Sequence, residues 1–149
     1  MDETKAEKLA RRLMDKHGLS HWEFRFDNAK RRAGCCWHVL KRISLSRNLI
    51  RIRSDDNIKN TILHEIAHAL VGPGHGHDEV WRRKAIEIGC DGKRCYTDAK
   101  LDGRWVAVCT HGKTFFKHKR PPSGALYACK CEPSNKIYNL KFQLNENIT

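Results

Sequence analysis

The pattern of apolar and polar positions predicts three helices and three strands in the first 89 residues. Three stretches have apolar residues at helical spacing, and a glycine follows each as a stop signal. Three shorter stretches predict strands, the first of which alternates with period two. The predicted elements are a helix over residues 4–17, strands over residues 22–26, 34–38 and 42–46, a helix ending before residue 72, and a helix over residues 78–88. This combination predicts an α+β domain with a three-stranded sheet.

The helix that ends before Gly72 carries the sequence His64-Glu65-Ile66-Ala67-His68. Residues four apart on a helix share a face, with Cβ atoms about 5–6 Å apart, so His64 and His68 can hold one Zn²⁺. Glu65 is out of line with them and is free to act as a general base towards a water molecule. Residues 54–56 offer an N-cap. The predicted apolar stripe is Ile58, Ile62, Ile66, Ala69 and Leu70, and the predicted polar face is Thr61, His64, Glu65 and His68.

A catalytic zinc site needs a third protein ligand and an open position. That ligand is expected in the segment after the motif helix. The next predicted helix begins in the same segment, with His77 or Asp78 near its N-terminus. The candidates in this segment are His75, His77, Asp78 and Glu79. Residue type and position alone leave the choice open.

The net charge of +12 predicts a polyanionic partner, of which nucleic acid is the usual one. The excess divides evenly between residues 1–89 and 90–149, so the shorter part is the more densely basic. Basic clusters at residues 30–32 and at Arg47, Arg51 and Arg53 fit either a solvated edge or a rim that contacts phosphates.

The cysteines and histidines, 7 and 9 in number, indicate metal chemistry. The charged N-terminus lacks a signal-peptide segment, and no apolar run approaches the ~20 residues of a membrane span. We therefore expect an intracellular protein with reduced thiols, cytoplasmic or DNA-associated, without a membrane partner. Cys35, Cys36 and His38 are predicted to be packing residues, because adjacent cysteines on a strand point to opposite faces. Cys90 and Cys95 are predicted to brace the linker.

From about residue 9 to about residue 131, the chain resembles the SprT-like (Spartan-type) zinc metalloproteases. His-Glu-x-x-His alone is shared by many zinc peptidase families, so the segments around it make the resemblance specific. Those segments are the strand residues 22–27, Gly34, residues 43–46, the Gly-His-Gly-His loop at 74–77, Trp81 and residues 88–90.

The resemblance implies a small gluzincin-like fold and a DNA-dependent protease that degrades proteins crosslinked to DNA. In that family the third ligand is a histidine that follows a glycine, with an aromatic residue four positions later. Gly76-His77 followed by Trp81 has this spacing, whereas His75 would have Glu79 in the aromatic position. The resemblance therefore favours His77, with His75 as the alternative.

The C-terminal part resembles the zinc ribbon that many of these proteins carry. Residues 108–113 and 127–131 stand where the two Cys-x-x-Cys knuckles are expected. The predicted ligands of a structural Zn²⁺ are Cys109, His111, Cys129 and Cys131. Each knuckle is one residue shorter than usual and His111 replaces a cysteine, although three cysteines and a histidine are a known zinc set. Cys90 and Cys95 are the alternative ligands.

Between the two knuckles, aromatic residues are interleaved with cations. This pattern suits base stacking with phosphate contact on single-stranded or partly single-stranded DNA. The predicted DNA-contacting residues are Phe115, Phe116, Lys117, Lys119 and Arg120. An exposed hairpin whose aromatic residues cover a small metal core would give the same pattern.

We therefore predict a metalloprotease domain over residues 1–89 and a zinc-ribbon-like basic module over residues 90–149. The predicted activity is zinc-dependent, DNA-stimulated cleavage of proteins bound or crosslinked to DNA, with one catalytic and one structural Zn²⁺. The alternatives are a nucleic-acid-binding zinc protein without proteolytic activity and a metallopeptidase independent of DNA. The intact Glu65 argues against the first alternative, and the basic charge argues against the second.

Overall fold

The computed structural model describes residues 1–94, 101–131 and 138–146. The chain divides into two compact units, Met1–Leu101 and Asp102–Thr149. The boundary predicted from the sequence lay between residues 89 and 90, and the functional assignment of the two parts stays a prediction. The helices and strands are α1 (Glu3–Lys16), β1 (Glu23–Asp27), β2 (Gly34–Trp37), β3 (Arg42–Ser46), α2 (Arg47–Ile50), α3 (Asp55–Val71), α4 (Glu79–Glu87), β4 (Trp105–Val108), β5 (Thr114–Lys117) and β6 (Gln143–Leu144).

The long helices of the first unit begin where the sequence offers a polar cap. In α1, α3 and α4, a side-chain oxygen accepts a hydrogen bond from the backbone N–H three residues later, which contributes about 1 kcal/mol to a helix. The pairs are Asp2 with Lys5 (2.8 Å), Ser54 with Asn57 (3.2 Å) and Asp78 with Trp81 (3.0 Å). The predicted caps are therefore confirmed as Ser54 and Asp78.

The sheet of the first unit has the strand order β1–β3–β2. β3 lies in the centre, parallel to β1 and antiparallel to β2, so that Ile43 faces both Phe24 and Cys36 in register. β2 is an edge strand, and it packs against α3. The motif helix therefore has this edge strand as its neighbour.

A single apolar core joins α1, β3, α3 and α4 in the first unit. Its members follow the periodicity of the sequence, and burying each large side chain contributes about 1.5–3 kcal/mol. The largest side chains with less than 2% exposure are Met14, Ile43, Leu45, Leu49, Ile58, Ile62, Ile66 and Trp81.

The faces of α3 differ from the prediction at three positions. Leu70, assigned to the apolar stripe, is 36% exposed. Thr61 and Glu65, assigned to the polar face, are buried. The reason is that the edge strand β2 covers this side of the helix, which its own periodicity does not reveal. Cys90 belongs to this core, whereas Cys95, the other cysteine predicted to brace the linker, lies outside the described residues.

The second unit contains a sheet of order β5–β4–β6, with both neighbours antiparallel to β4. Its small apolar cluster consists of Ala107, Cys109, Cys129 and Leu140, with Phe115, Tyr127 and Phe142 packed against it. A core of this size contributes little stability, and small domains commonly rely on a bound metal ion in addition.

The predicted α+β class is confirmed, with helices and small three-stranded sheets. Across the described ranges, no helix has the length and apolar character needed to cross a membrane.

Candidate metal centre and catalytic site

Three histidines of the first unit converge on one point. His64 and His68 project from successive turns of α3, and His77 belongs to the loop that follows it. The Nε2 atom of His77 lies 3.0 Å from that of His64 and 3.2 Å from that of His68. Nitrogens bound tetrahedrally to Zn²⁺ at about 2.0–2.1 Å would lie about 3.3–3.4 Å apart. The donor set and its spacing therefore fit a zinc ion.

Trp81 of α4 packs behind the three histidines and is 1% exposed. Its ring centroid lies 4.6 Å, 5.2 Å and 4.8 Å from the rings of His64, His68 and His77, respectively. Its indole N–H donates a hydrogen bond to the backbone carbonyl of His64 at 3.3 Å. The indole therefore restricts the orientation of all three imidazoles.

His75 lies apart from this cluster. Its Nδ1 atom is 3.0 Å from a carboxylate oxygen of Asp78, the N-cap of α4. Of the four side chains that compete for the third ligand position, only His77 belongs to the potential metal-binding group found among the described residues. The geometry therefore favours His77, in agreement with the spacing to Trp81.

Burial keeps the cluster histidines neutral. It lowers the pKa of His64 to about 3, with further contributions from His68 and His77, and it lowers the pKa of His68 to about 4. Burial, followed by the charge of Arg94, also lowers the pKa of His77. Neutral imidazoles keep their nitrogen lone pairs available, as a metal ligand must.

Glu65 lies on the side of α3 that β2 covers, and it is 7% exposed. The strand approaches closely here because residue 34 is a glycine. A Cβ atom at Gly34 would lie 3.0 Å from Cγ and 3.2 Å from Oε1 of Glu65, and 3.1 Å from Cγ2 of Thr61. Gly34 therefore leaves the space that the carboxylate of Glu65 occupies.

The environment of Glu65 changes its protonation. Burial raises the pKa of Glu65 to about 8, and the positive charge of Arg32 acts in the opposite direction. A displaced pKa on a buried carboxyl group is common at catalytic sites, where acids and bases are adjusted to work near neutral pH. The combination of this carboxyl group and a histidine cluster in one cavity is thus suited to proton transfer beside a metal.

Glu65 and the three histidines line a single cavity of about 460 Å³. The sequence identified the motif residues but not most of the other side chains around them. Arg32, His38 and Asp91 are distant from the motif in sequence, so periodicity and spacing could not assign them to this cavity. The remaining lining residues are Arg31, Gly34, Cys35, Cys36, Asn60, Thr61, Lys93 and Arg94.

Cys35, Cys36 and His38 were predicted to be packing residues, and the structure adds that they border the cavity. Cys36 does pack against the core, and burial raises its pKa to about 12. All three residues nevertheless line the cavity. The reason is that β2 is an edge strand beside α3, so a residue of β2 can touch both the core and the cavity.

A second group of potential ligands lies in the second unit, formed by Cys109, His111, Cys129 and Cys131. Two sulfurs, of Cys109 and Cys131, are 3.9 Å apart, and the sulfur of Cys129 is 3.5 Å from Nδ1 of His111. Tetrahedral Zn²⁺ with bonds of about 2.3 Å to sulfur and 2.0–2.1 Å to nitrogen gives about 3.8 Å and 3.5 Å for these distances. The shortened knuckles therefore bring their four ligand atoms to a spacing that fits zinc.

The Cys109 thiol is prepared for metal binding by its neighbours. Desolvation opposes ionisation, but hydrogen bonds from the backbone of Lys113 and from His111 outweigh it and lower the pKa of Cys109 to about 6. The thiolate is the form that binds a metal.

In the segment between the knuckles, the side chains of β5 alternate between a face that packs on the small core and a face that is exposed. Phe115 packs against the small core of the second unit, whereas Phe116 is 39% exposed. Lys117 is on the inner side, with Nζ 4.4 Å from the ring centroid of Tyr127. Of the five predicted DNA-contacting residues, Phe116, Lys119 and Arg120 are exposed.

The second unit also has a groove of about 420 Å³ that the sequence reading missed. The guanidinium of Arg120 lies 5.8 Å from the ring centroid of Trp105 in its wall. These residues are scattered along the chain, so only the fold assembles them. The aromatic members of the lining are Trp105, Tyr127, Tyr138 and Phe142, and the cations are Arg120 and Lys141.

Comparison with known families gives one match. The sequence model of the SprT-like family matches residues 3–100, which includes the histidine cluster and Glu65. No curated protein matches the chain.

Proposed function

The chain belongs to the SprT-like family, and on that premise we propose that it is a zinc-dependent protease that cleaves proteins bound or crosslinked to DNA. The family is associated with metalloprotease activity. The observation that carries the proposal is the convergence of His64, His68 and His77 beside the buried Glu65 in one cavity. A purely structural zinc site does not need a carboxyl group in that position.

A Zn²⁺ ion held by the three histidines would polarise the scissile carbonyl and lower the pKa of a water molecule towards about 7. The chain supplies the other requirements. Trp81 holds the imidazole rings in place, and the carboxylate of Glu65 accepts a proton from the attacking water and returns it to the leaving amine. Positioned proton transfer of this kind contributes about 10²–10⁴-fold to a rate.

Glu65 must be ionised to act as a base, and its burial opposes this. The positive charge of Arg32 already favours the carboxylate, and a dication held nearby by neutral histidines would favour it further. Full ionisation of Glu65 at neutral pH is therefore expected to depend on the loaded metal site.

The DNA part of the proposal rests on charge and on the second unit. The chain has a net charge of +12, and the second unit carries an exposed Phe116 and an aromatic groove with Arg120 in its wall. Aromatic surfaces next to cations suit unpaired bases and the phosphates that join them. We therefore propose single-stranded or partly single-stranded DNA as the partner.

Replacing Glu65 by glutamine tests the chemistry. Glu65→Gln keeps the size of the side chain and the histidine ligands, so it should bind as much zinc as the wild-type protein by elemental analysis. Its cleavage of a DNA-bound protein substrate should fall about 10²-fold or more, since the base is lost. Glu79→Gln, an exposed glutamate of α4, is the matched control and should cleave normally. Cleavage by Glu65→Gln at more than a tenth of the normal rate would exclude this mechanism.

Fluorescence anisotropy titrations at several salt concentrations test the DNA part. Lys119→Ala with Arg120→Ala should weaken binding and reduce the slope of log affinity against log salt by about 0.7 per lost phosphate contact on a single strand. Phe116→Ala should weaken binding to single strands more than to duplexes. Lys8→Ala with Lys16→Ala, two cations of α1, is the control. Unchanged affinity and slope in the first variant would remove this segment from the DNA surface.

A further inference from the structure

The side chain of Arg32 has an unusual arrangement in the cavity of the first unit. Its Nη2 atom lies 3.1 Å from a carboxylate oxygen of Asp27, and its guanidinium carbon lies 5.6 Å from the centre of the Trp37 ring. Its Nη1 atom is buried and has no hydrogen-bond partner among the residues that the structure describes. An unpaired buried donor is costly, and a charged one more so.

Asp27 is itself fixed, so it holds Arg32 in one position. One of its oxygens accepts a hydrogen bond from the Ser44 hydroxyl at 2.7 Å, and the other accepts one from the backbone N–H of Ala29 at 3.0 Å. The guanidinium is therefore oriented before any ligand arrives. The Arg32 side chain as a whole is 41% exposed, so a ligand in the cavity can contact atoms of the side chain other than the buried Nη1.

The surroundings of Arg32 are electropositive. Among the described residues that line the cavity, Arg31, Lys93 and Arg94 add three further cations, against the carboxyl groups of Glu65 and Asp91. The Asp91 carboxylate accepts a hydrogen bond from the backbone N–H of Lys93 at 2.9 Å, and together with Arg32 the cations outnumber the carboxyl groups by four to two. The cavity therefore favours a ligand that carries a negative charge.

We propose that Arg32 is a specificity residue that binds a carboxylate side chain, Asp or Glu, of the polypeptide cut at the adjacent metal centre. The inference rests on the proposed function. A polypeptide is favoured over a DNA phosphate here because Arg32 shares its cavity with Glu65 and the three histidines, where the peptide must lie to be cut. A planar guanidinium matches a carboxylate in geometry and charge.

Peptide pairs that differ only in Glu against Gln test this inference. A single Glu is moved through each position around the scissile bond of an otherwise uncharged fluorogenic peptide, and every member has a matched Gln peptide. At one position the Glu peptide should be cleaved with a kcat/KM about tenfold higher or more, the range expected for a charge-assisted hydrogen bond. In Arg32→Gln this ratio should fall close to one.

The comparison of ratios separates binding from general damage. Loss of Arg32 also changes the electrostatic field at Glu65. That change slows the cleavage of both peptides of a pair equally, so it cancels in the ratio of their kcat/KM values. Arg25→Gln is the matched control, because Arg25 is also an ion-paired arginine of this sheet region but does not line the cavity. Arg32→Lys should keep part of the preference for the Glu peptide, since lysine keeps the positive charge but lacks the planar pair of N–H donors. A ratio near one at every position in the wild-type protein would overturn the inference, and so would a ratio that survives in Arg32→Gln.

A second measurement distinguishes this inference from the proposed protease activity. The affinities of the same labelled peptides for the zinc-loaded Glu65→Gln protein are measured by anisotropy, without DNA. Tighter binding of the Glu peptide that depends on Arg32 would support the inference even if the wild-type protein cleaved no peptide. Weaker DNA binding by Arg32→Gln, with an unchanged Glu-to-Gln ratio, would assign Arg32 to a phosphate contact and overturn the inference.

Discussion

Replacing Gly34 tests how the carboxyl group of Glu65, the proposed general base, is positioned. In Gly34→Ala the new methyl group would lie 3.0 Å from Cγ of Glu65, 3.2 Å from its Oε1 and 3.1 Å from Cγ2 of Thr61. Carbon atoms in ordinary contact are about 3.5–4.0 Å apart, so the Glu65 side chain or the β2 strand must move by about 0.5–1 Å. Gly34, Glu65 and Thr61 are not predicted metal ligands, so the substitution leaves the predicted ligand set unchanged.

We expect effects of similar size on catalysis and on stability, which separate measurements can distinguish. A displacement of about 1 Å in a reacting group costs about 10²-fold in rate, so we expect kcat/KM to fall between about tenfold and 10²-fold. That corresponds to about 1.4–2.7 kcal/mol of transition-state stabilisation. Separately, inserting one methyl group into a packed site should lower the free energy of unfolding by about 1–3 kcal/mol.

The assay combines steady-state cleavage of a DNA-bound protein, zinc content and urea unfolding on the same preparations. Gly34→Ala should keep its full zinc content while losing activity. The double variant Gly34→Ala, Thr61→Ser removes the crowding Cγ2 methyl but keeps the hydroxyl that accepts a hydrogen bond from Arg53, and it should recover part of the lost rate. Wild-type kinetics in Gly34→Ala would refute the argument, as would an equal loss of zinc and activity.

Three further predictions concern the proposed metal ligands. His77→Ala should lose one equivalent of zinc and the cleavage activity, whereas His75→Ala should keep most of both; the reverse result in elemental analysis and cleavage assays would transfer the ligand role to His75. Cys109→Ser should release one equivalent of zinc and lower the melting temperature of the second unit without releasing zinc from the first, and retention of all zinc would contradict a site there. Urea unfolding of the zinc-free protein tests the histidine environment: as the pH falls from about 6.5 towards about 4, the unfolded chain takes up protons that the half-buried His64 and His68, with pKa values of about 3 and 4, do not, which lowers stability. Each such proton contributes up to about 1.4 kcal/mol per pH unit. Glu65, whose pKa burial raises to about 8, contributes with the opposite sign above its ordinary pKa, so the histidine contribution is the difference in slope between the wild-type protein and His64→Asn, and an equal slope in the variant would exclude it.

Local sequence determined the three long helices and the three strands of the first unit, and it placed two histidines of the candidate metal centre on one helix; the short α2 was not predicted. A period of 3.6 brings His64 and His68 to one face of α3 whatever the rest of the chain does. Ser54 and Asp78 mark helix starts because their side chains satisfy backbone N–H groups only three residues away. Both partners of an interaction over three or four residues lie in one short segment, so such interactions could be predicted from the sequence.

The choice between His75 and His77 was intermediate between sequence and structure. Spacing to Trp81 favoured His77, but only the packing of α4 against α3 brings the indole behind all three rings. The loop then turns His75 towards the Asp78 cap. The spacing and the tertiary contacts therefore favour the same candidate, His77, which stays a prediction.

The burial of Glu65, the approach of Gly34 and the position of Arg32 were decided by tertiary structure alone. Each depends on β2 lying at the edge of the sheet against α3, across a separation of about thirty residues, which no local period encodes. Likewise, the alternation of β5 directs Phe115 inward and Phe116 outward only because one face of that sheet covers a core. The sequence determines which side chains a turn of helix or a strand face carries. Which of them lie in a cavity depends on what packs against that face.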